Sequence, residues 1–254
     1  MGSPATRRFE VIFFDLGNTL MYFDGQWNQV IREGYAALLQ SLLQAGVRLE
    51  AETFIGLFNQ RLEQYYQERD TEFIEFTTAY ILRSLLAELG YTTLPDEVIH
   101  QALAALYAVS QAHWRPEEDA VPTLQALHRA GYRMGLISNA ADDADVQALV
   151  DKAGIRSFFD VITTSAVQGI RKPNPRIFHR ALEHWGVAPG RAAMVGDTLG
   201  ADILGAENAG VFSIWITRRA ATPGNQAHLD TIQPQATIET LSELPGLLAR
   251  LQAG

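Results

Sequence analysis

The sequence predicts an α/β fold: a parallel sheet covered by helices on both faces and interrupted once by an all-helical insertion. Three observations predict it. A short apolar run, Val11-Ile12-Phe13-Phe14, stops at Asp15 and has the character of a buried strand. Residues from about 26 to 110 then carry only helical periodicity. From residue 120 onward, strand-like and helix-like segments alternate.

The insertion divides into four amphipathic helices. Their apolar faces are Ile31, Tyr35, Leu38, Leu42; then Phe54, Leu57, Phe58, Leu62, Tyr65; then Ile74, Ile81, Leu85; then Ile99, Leu103, Leu106. Gly46, Asp70 and the stretch 90–95 punctuate them. With no strand among them, the block interrupts an α/β domain: 1–23 and 116–254 form the core, 24–115 the insertion. Pro122 opens the next helix and Gly131 closes it. A strand over 132–137, a helix over 145–153 closed by Gly154, and a strand over 160–164 come next. Asn174 caps a helix with Pro175 at its first position, Ile177, Ala181 and Trp185 on one face, and Gly186 at its end. Then come a strand over 192–195, a helix over 202–208, a strand over 211–217 and a helix near 244–252. Residues 218–235 lack periodicity and are expected to be a surface loop.

Composition removes several function classes. A chain of 254 residues can bury about three quarters of its unfolded surface, so it holds a core without staples. With no Cys, there is no disulfide framework, thiolate nucleophile or Cys-based metal centre. A net charge of −9 lacks the footprint of a general nucleic-acid binder. The six His are scattered and form no H-E-x-x-H. No apolar run approaches membrane-spanning length. Thr6-Arg7-Arg8-Phe9 faintly resembles a twin-arginine signal, but Glu10 and Asp15 break up the adjoining apolar stretch, so a cytoplasmic protein is expected. Of the 20 basic residues, 18 are Arg and only two, Lys152 and Lys172, are Lys.

In open parallel sheets, ligands bind beyond the carboxyl ends of the strands. Four segments stand there: Asp15-Leu16-Gly17-Asn18-Thr19, Ser138-Asn139, Arg171-Lys172-Pro173, and Gly196-Asp197 with Asp202 five residues on. Carboxylates crowded together call for a cation, and oxygen-only ligands favour Mg²⁺, which keeps positions open for phosphate oxygens. Thr19, Ser138 and Lys172 can donate to the remaining phosphoryl oxygens. Asp15 can then attack in line and form an aspartyl-phosphate.

These four segments, in this order and at strand ends, resemble the haloacid dehalogenase superfamily, in the subfamily with a helical cap after the first strand. The resemblance spans nearly the whole chain. It implies a Rossmann-like core, Asp15 as nucleophile, Ser138 and Lys172 as phosphate anchors, and Asp15, the Gly17 carbonyl and Asp197 around Mg²⁺, with Asp202 as a further acidic ligand or partner. In one respect the sequence departs from the pattern. Phosphatases of the family carry a second Asp, a general acid and base, where this chain has Gly17. Such help is typically worth about 10²–10⁴-fold.

Other polar residues have plainer readings. Asp24 lies in a turn, Asp142 and Asp143 start a helix whose dipole favours them, and His113 is structural. Trp27, Tyr65, Tyr66 and Tyr80 belong to the core of the helical block, and Arg32, Arg61, Arg69 and Arg83 to its solvated faces. The leading expectation is a Mg²⁺-dependent hydrolase of a small phosphorylated metabolite, favouring acyl or aryl leaving groups that need little protonation. A metal-independent 2-haloacid dehalogenase is an alternative, disfavoured by Gly196-Asp197, which the dehalogenases this resembles lack. Phosphonate cleavage through a cap Schiff base is excluded by the absence of Lys from the helical block. A non-catalytic metal- and phosphate-binding protein would keep the same residues. No dinucleotide or P-loop glycine motif occurs. The oligomeric state is left open.

Overall fold

The computed structural model describes residues 7–253; residues 1–6 and Gly254, expected from sequence to belong to the core, lie outside it. Its centre is a six-stranded, all-parallel sheet. The strands are β1 (Val11–Phe14), β4 (Arg133–Ser138), β5 (Val161–Thr164), β6 (Ala192–Gly196), β7 (Phe212–Ile216) and β8 (Ala236–Ile238), in the order β5-β4-β1-β6-β7-β8. Two further strands, β2 (Met21–Phe23) and β3 (Trp114–Pro116), form a separate antiparallel pair.

Every residue of β1 is buried, as expected of a parallel strand covered on both faces. Ile12 and Phe14 enter one core layer with Leu124, Leu136 and Val195. Val11 and Phe13 enter the opposite layer with Ile137, Phe178 and Met194, in keeping with the period-two alternation of a strand. The chain lays β4 and β5 on one side of β1 and β6 to β8 on the other. The topological switch therefore falls at the carboxyl end of β1.

Helices α1 (Trp27–Gln44), α2 (Ala51–Glu72), α3 (Thr78–Glu88) and α4 (Asp96–Gln111) form the insertion. Their apolar faces converge on a core of their own, including Leu38, Leu42, Phe54, Phe58, Leu82 and Leu103. The break expected at Asp70 comes instead at Phe73, which takes a left-handed conformation (φ 53°) at the C-cap of α2.

The insertion meets the rest of the chain at several places, the Gln111 amide donating to Asp145 (2.8 Å) among them, and two further ties hold it to the sheet. One is the β2–β3 stem, where Phe23 lies opposite Trp114. It escapes the sequence reading because three-residue strands show no usable period. The other is the α2–α3 loop. The Glu75 and Thr78 amides donate to the Gly169 and Ala141 carbonyls (3.2 and 2.9 Å), and the Arg171 amide donates to the Phe73 carbonyl (3.1 Å). The buried Glu75 carboxylate accepts from the Tyr65 hydroxyl and from Ser165 Oγ (2.7 Å), with the Arg171 guanidinium 3.4 Å away. A carboxylate this deeply buried is stable only because it is hydrogen-bonded and paired.

The core helices are α5 (Ala120–Arg129), α6 (Asp143–Lys152), α7 (Ser165–Gln168), α8 (Arg176–Glu183), α9 (Leu204–Ala209), α10 (Pro223–Gln226) and α11 (Leu244–Ala253). Asp142 is the N-cap of α6 and accepts from the Asp145 amide (3.0 Å), in line with the helix-start reading. The helix expected over 202–208 begins as a π-helical turn over 199–203 before α9. The 218–235 segment is not merely a surface loop. It contains α10 and the buried residues Ala220, Asn225 and Ile232, and Ile232 packs on Leu199 and Ile203. Among the described residues no helix is long and apolar enough to cross a membrane.

Candidate active site

Strand register assembles the site. Phe14 is level with Leu136 on β4 and Val195 on β6, so Asp15 and Asp197, just past their strands, emerge together with Ser138, the last residue of β4. The Asp15 amide still bonds the Val195 carbonyl (3.0 Å). Asn18, in a left-handed conformation (φ 54°), turns the chain back beyond the strand.

Lys172 is the hub. Its buried ammonium donates to Asp15 Oδ1, Asp202 Oδ1 and the Ile137 carbonyl, each at 2.7 Å. An ammonium has three donors, and all three are used. Burial alone would lower the Lys172 pKa; its pairing with Asp15 and Asp202 outweighs that and holds it above the ordinary value. Asn139 fixes the Lys172 backbone from both sides, Nδ2 donating to its carbonyl and Oδ1 accepting from its amide, both at 2.9 Å.

Asp15, Asp197 and Asp202 each present a carboxylate oxygen, all within 4.8 Å of one another. Burial, opposed by Lys172 and reinforced by Asp202, pushes the Asp15 carboxyl up to about 6. Burial, then the charges of Asp202 and Asp15, pushes Asp197 up to about 8. One ammonium is thus too little positive charge for three buried carboxylates. An all-oxygen donor set short of positive charge fits Mg²⁺. Gly196 explains how Asp202 gets in: a Cβ there would stand 2.3 Å from the Asp202 carboxyl, so only glycine leaves room. Asp202 Oδ2 also accepts from the Thr198 amide (2.9 Å).

These groups open into a cavity of about 400 Å³ between sheet and insertion. Asp15, Gly17, Ser138, Lys172, Asp197 and Asp202 all line it. Thr19 does not. It is fully buried and its hydroxyl has no hydrogen-bond partner among the described residues, so the donor expected from Thr19 is not brought to the cavity. Asp24 and His113 also lie outside the lining; the His113 ring meets the Asp24 carbonyl (3.0 Å), a structural contact. Arg61 and Arg83 form exposed ion pairs with Glu88 and Asp96, as expected of solvated faces. Arg69, by contrast, lines the cavity with its guanidinium 4.2 Å from the Tyr66 ring centroid. Trp27 and Tyr66, expected in the helical core, line the cavity too and are 52% and 42% exposed.

A profile for haloacid dehalogenase-like hydrolases matches residues 9–210. The chain belongs to that family. It is 31% identical over 242 residues to a glyceraldehyde 3-phosphate phosphatase of Methanothermobacter thermautotrophicus, covering 94% of this chain and 99% of that one. It is 28% identical over 243 residues to an N-acylneuraminate-9-phosphatase of Rattus norvegicus, covering 95% and 94%. Among solved structures, a 2-haloacid dehalogenase from Pseudomonas syringae superposes with a TM-score of 0.65 at 26% identity, covering 96% of this chain and 99% of that one.

Two residues escaped the sequence reading. Asn225 is buried in the 218–235 segment. Its Nδ2 donates to the Asp197 carbonyl (2.8 Å) and its Oδ1 accepts from the Leu199 amide (2.8 Å), clamping the Asp197 loop. Trp114, on β3, places its indole edge against Gly17: a Cβ on residue 17 would lie 3.3 Å from the nearest ring carbon. Neither belongs to a motif, and no local spacing points to either.

Proposed function

We propose that this hydrolase is a Mg²⁺-dependent phosphohydrolase acting on a small phosphorylated metabolite through Asp15. The observation that carries the reading is the buried cluster of Asp15, Asp197 and Asp202 around Lys172 at the switch point of the sheet. In the first step an Asp15 carboxylate oxygen bonds to phosphorus as the bond from phosphorus to the leaving oxygen breaks. In the second, water attacks the aspartyl-phosphate, releasing inorganic phosphate and restoring the carboxylate. Asp15, Asp197 and Asp202, with the Gly17 carbonyl, would hold Mg²⁺. When bound, it supplies charge neutralisation between the carboxylates and the phosphoryl oxygens.

The chain's own residues do the rest. Lys172 orients Asp15 and offers charge to the phosphoryl group. Ser138, at the end of β4, offers a hydroxyl donor in the cavity wall. Residues 24–115 act as a cap over a core of 1–23 and 116–254, excluding water from the cleft. Gly17 has no side chain to protonate a leaving group, so good leaving groups are favoured. The phosphatase names of the two relatives support this reading.

The test is phosphate release from a panel of phosphate esters with Mg²⁺ and with EDTA, for the native chain and Asp15→Asn. Turnover that needs Mg²⁺ and disappears in Asp15→Asn is expected; turnover surviving in that variant refutes the mechanism. The Pseudomonas syringae likeness favours a second reading, 2-haloacid dehalogenation. Chloride release from 2-chloropropionate in EDTA would establish it.

A further inference from the structure

The cap side of the cavity has few polar groups to offer a substrate. The Thr78 and Tyr107 hydroxyls bond each other (2.7 Å), and Ser110 Oγ donates to the Tyr107 carbonyl (3.0 Å). Asp145, on the core side, accepts from the Gln111 amide (2.8 Å). Arg69 also lines the cavity from the cap, its guanidinium over the Tyr66 ring, and the remaining surface facing the cleft from the cap and its stem is mainly apolar and aromatic, chiefly Trp27, Ile31, Tyr66, Leu106 and Trp114. Trp114 lies nearest the nucleophile loop, with two ring carbons 3.3 and 3.8 Å from the place of a residue-17 Cβ. Phe23 packs edge-on against its ring (centroids 5.6 Å apart), and Phe23 is braced in turn by Trp27 (5.0 Å). The indole is therefore held in place beside Asp15's loop.

We propose that the leaving group is planar and apolar, an aromatic alcohol esterified to phosphate, and that it seats against Trp114, which selects it. The inference rests on the phosphohydrolase reading and narrows its substrate class. Two independent features agree with it. A polyhydroxylated leaving group beside Trp114 would bury hydroxyls against the apolar surface of Ile31 and Leu106, with the Thr78 and Tyr107 hydroxyls already bonded to each other, which is unfavourable. An aryl oxide also departs with its electron pair as the bond to phosphorus breaks, then takes its proton from water, so the absence of a carboxylate at Gly17 matters least for it. An aromatic ring against an indole adds a stacking or edge-to-face contact.

The experiment compares kcat/KM for 1-naphthyl phosphate, benzyl phosphate and glycerol 3-phosphate on the full chain with Mg²⁺. Benzyl phosphate separates shape from leaving-group quality, since its leaving group is aromatic in shape yet needs a proton. Both aromatic esters should exceed glycerol 3-phosphate by about tenfold or more, with the difference mainly in KM. Trp114→Ala should collapse that ratio and Trp114→Phe should preserve it. Equal or reversed preference in the native chain overturns the proposal, as does a Trp114→Ala variant that lowers all three rates in proportion. Binding gives a readout independent of turnover: phenylphosphonate should bind Asp15→Asn about tenfold tighter than methylphosphonate, and less selectively once Trp114 is also Ala. Equal binding overturns the proposal. No turnover of any ester with that preference intact would sink the phosphohydrolase reading while upholding the aromatic site.

Discussion

Asn225→Leu removes the clamp on the Asp197 loop while keeping side-chain volume nearly constant. Asn225 is 2% exposed and makes three hydrogen bonds through its amide: from Leu199 N–H, to the Asp197 carbonyl and to the Ala220 carbonyl. The three losses are unequal. The Asp197 carbonyl keeps the Trp215 Nε1 donor (2.8 Å), and the Ala220 carbonyl keeps the Thr222 amide (2.8 Å). Only the Leu199 amide loses its side-chain partner outright. One orphaned buried donor costs about 1–3 kcal/mol and each of the two weakened carbonyls about 0.5–1 kcal/mol, about 2–5 kcal/mol together. For a chain of this length that lowers the melting temperature by about 4–20 °C. Asp197 is the residue held by this loop, so Mg²⁺ stabilisation should shrink as well, and a displacement of about 1 Å could cost about 10²-fold in turnover. Thermal melts with and without Mg²⁺, and then phosphate release, measure all three. A shift under about 2 °C with unchanged Mg²⁺ stabilisation would refute the clamp.

Gly17→Asp should restore little by itself, because its Cβ meets the Trp114 indole at 3.3 Å. Paired with Trp114→Ala it should raise turnover of alkyl phosphates toward the about 10²–10⁴-fold that general acid catalysis provides; a full gain from the single variant would show that the indole yields freely. Stability in EDTA should fall as pH rises from about 4 to 8, because the folded chain keeps protons on Asp15 (about 6) and Asp197 (about 8) that the unfolded chain releases near 3.8. Mg²⁺ held by these carboxylates would displace those protons, so it should raise the melting temperature more at pH 8 than at pH 6 by about a few degrees, and equal increments would contradict the assignment. Glu75→Gln should weaken the buried tie between the α2–α3 loop and Ser165 and Arg171, by about 1–3 kcal/mol. Faster amide exchange at Glu75, Thr78 and Arg171, with the α4 core unaffected, is the expected signature.

The elements that read clearly from the sequence have strong local signals. β1 is four apolar residues ended by a carboxylate, and α1, α3 and α4 show sustained helical faces. The misreadings have local causes too. β2 and β3 are too short to show alternation, and β8 lies beside the aperiodic 218–235 segment. Asp70 has the composition of a break, yet α2 runs on to Glu72. Thr19 sits in the Asp15 loop, where a hydroxyl donor toward the proposed phosphate site is a natural expectation. The loop turns it inward, which no residue spacing reveals.

The sequence alone determined which residue types stand at the strand ends, because the end of an apolar run is a local feature. A parallel sheet then carries all those ends to one edge whatever the loops do. Asp15, Ser138 and Asp197 came from that rule, whereas Lys172, beyond α7, and Asp202, in the π-helical turn before α9, reach the same edge through the segments that follow the strands. Only the tertiary structure decided what surrounds them. The β2–β3 stem swings Trp114 onto Gly17, and the C-terminal segment brings Asn225 under the Asp197 loop. Both are contacts between segments far apart in the chain. They arise from packing, in which a side chain's neighbours are set by how whole elements meet rather than by the residues next to it.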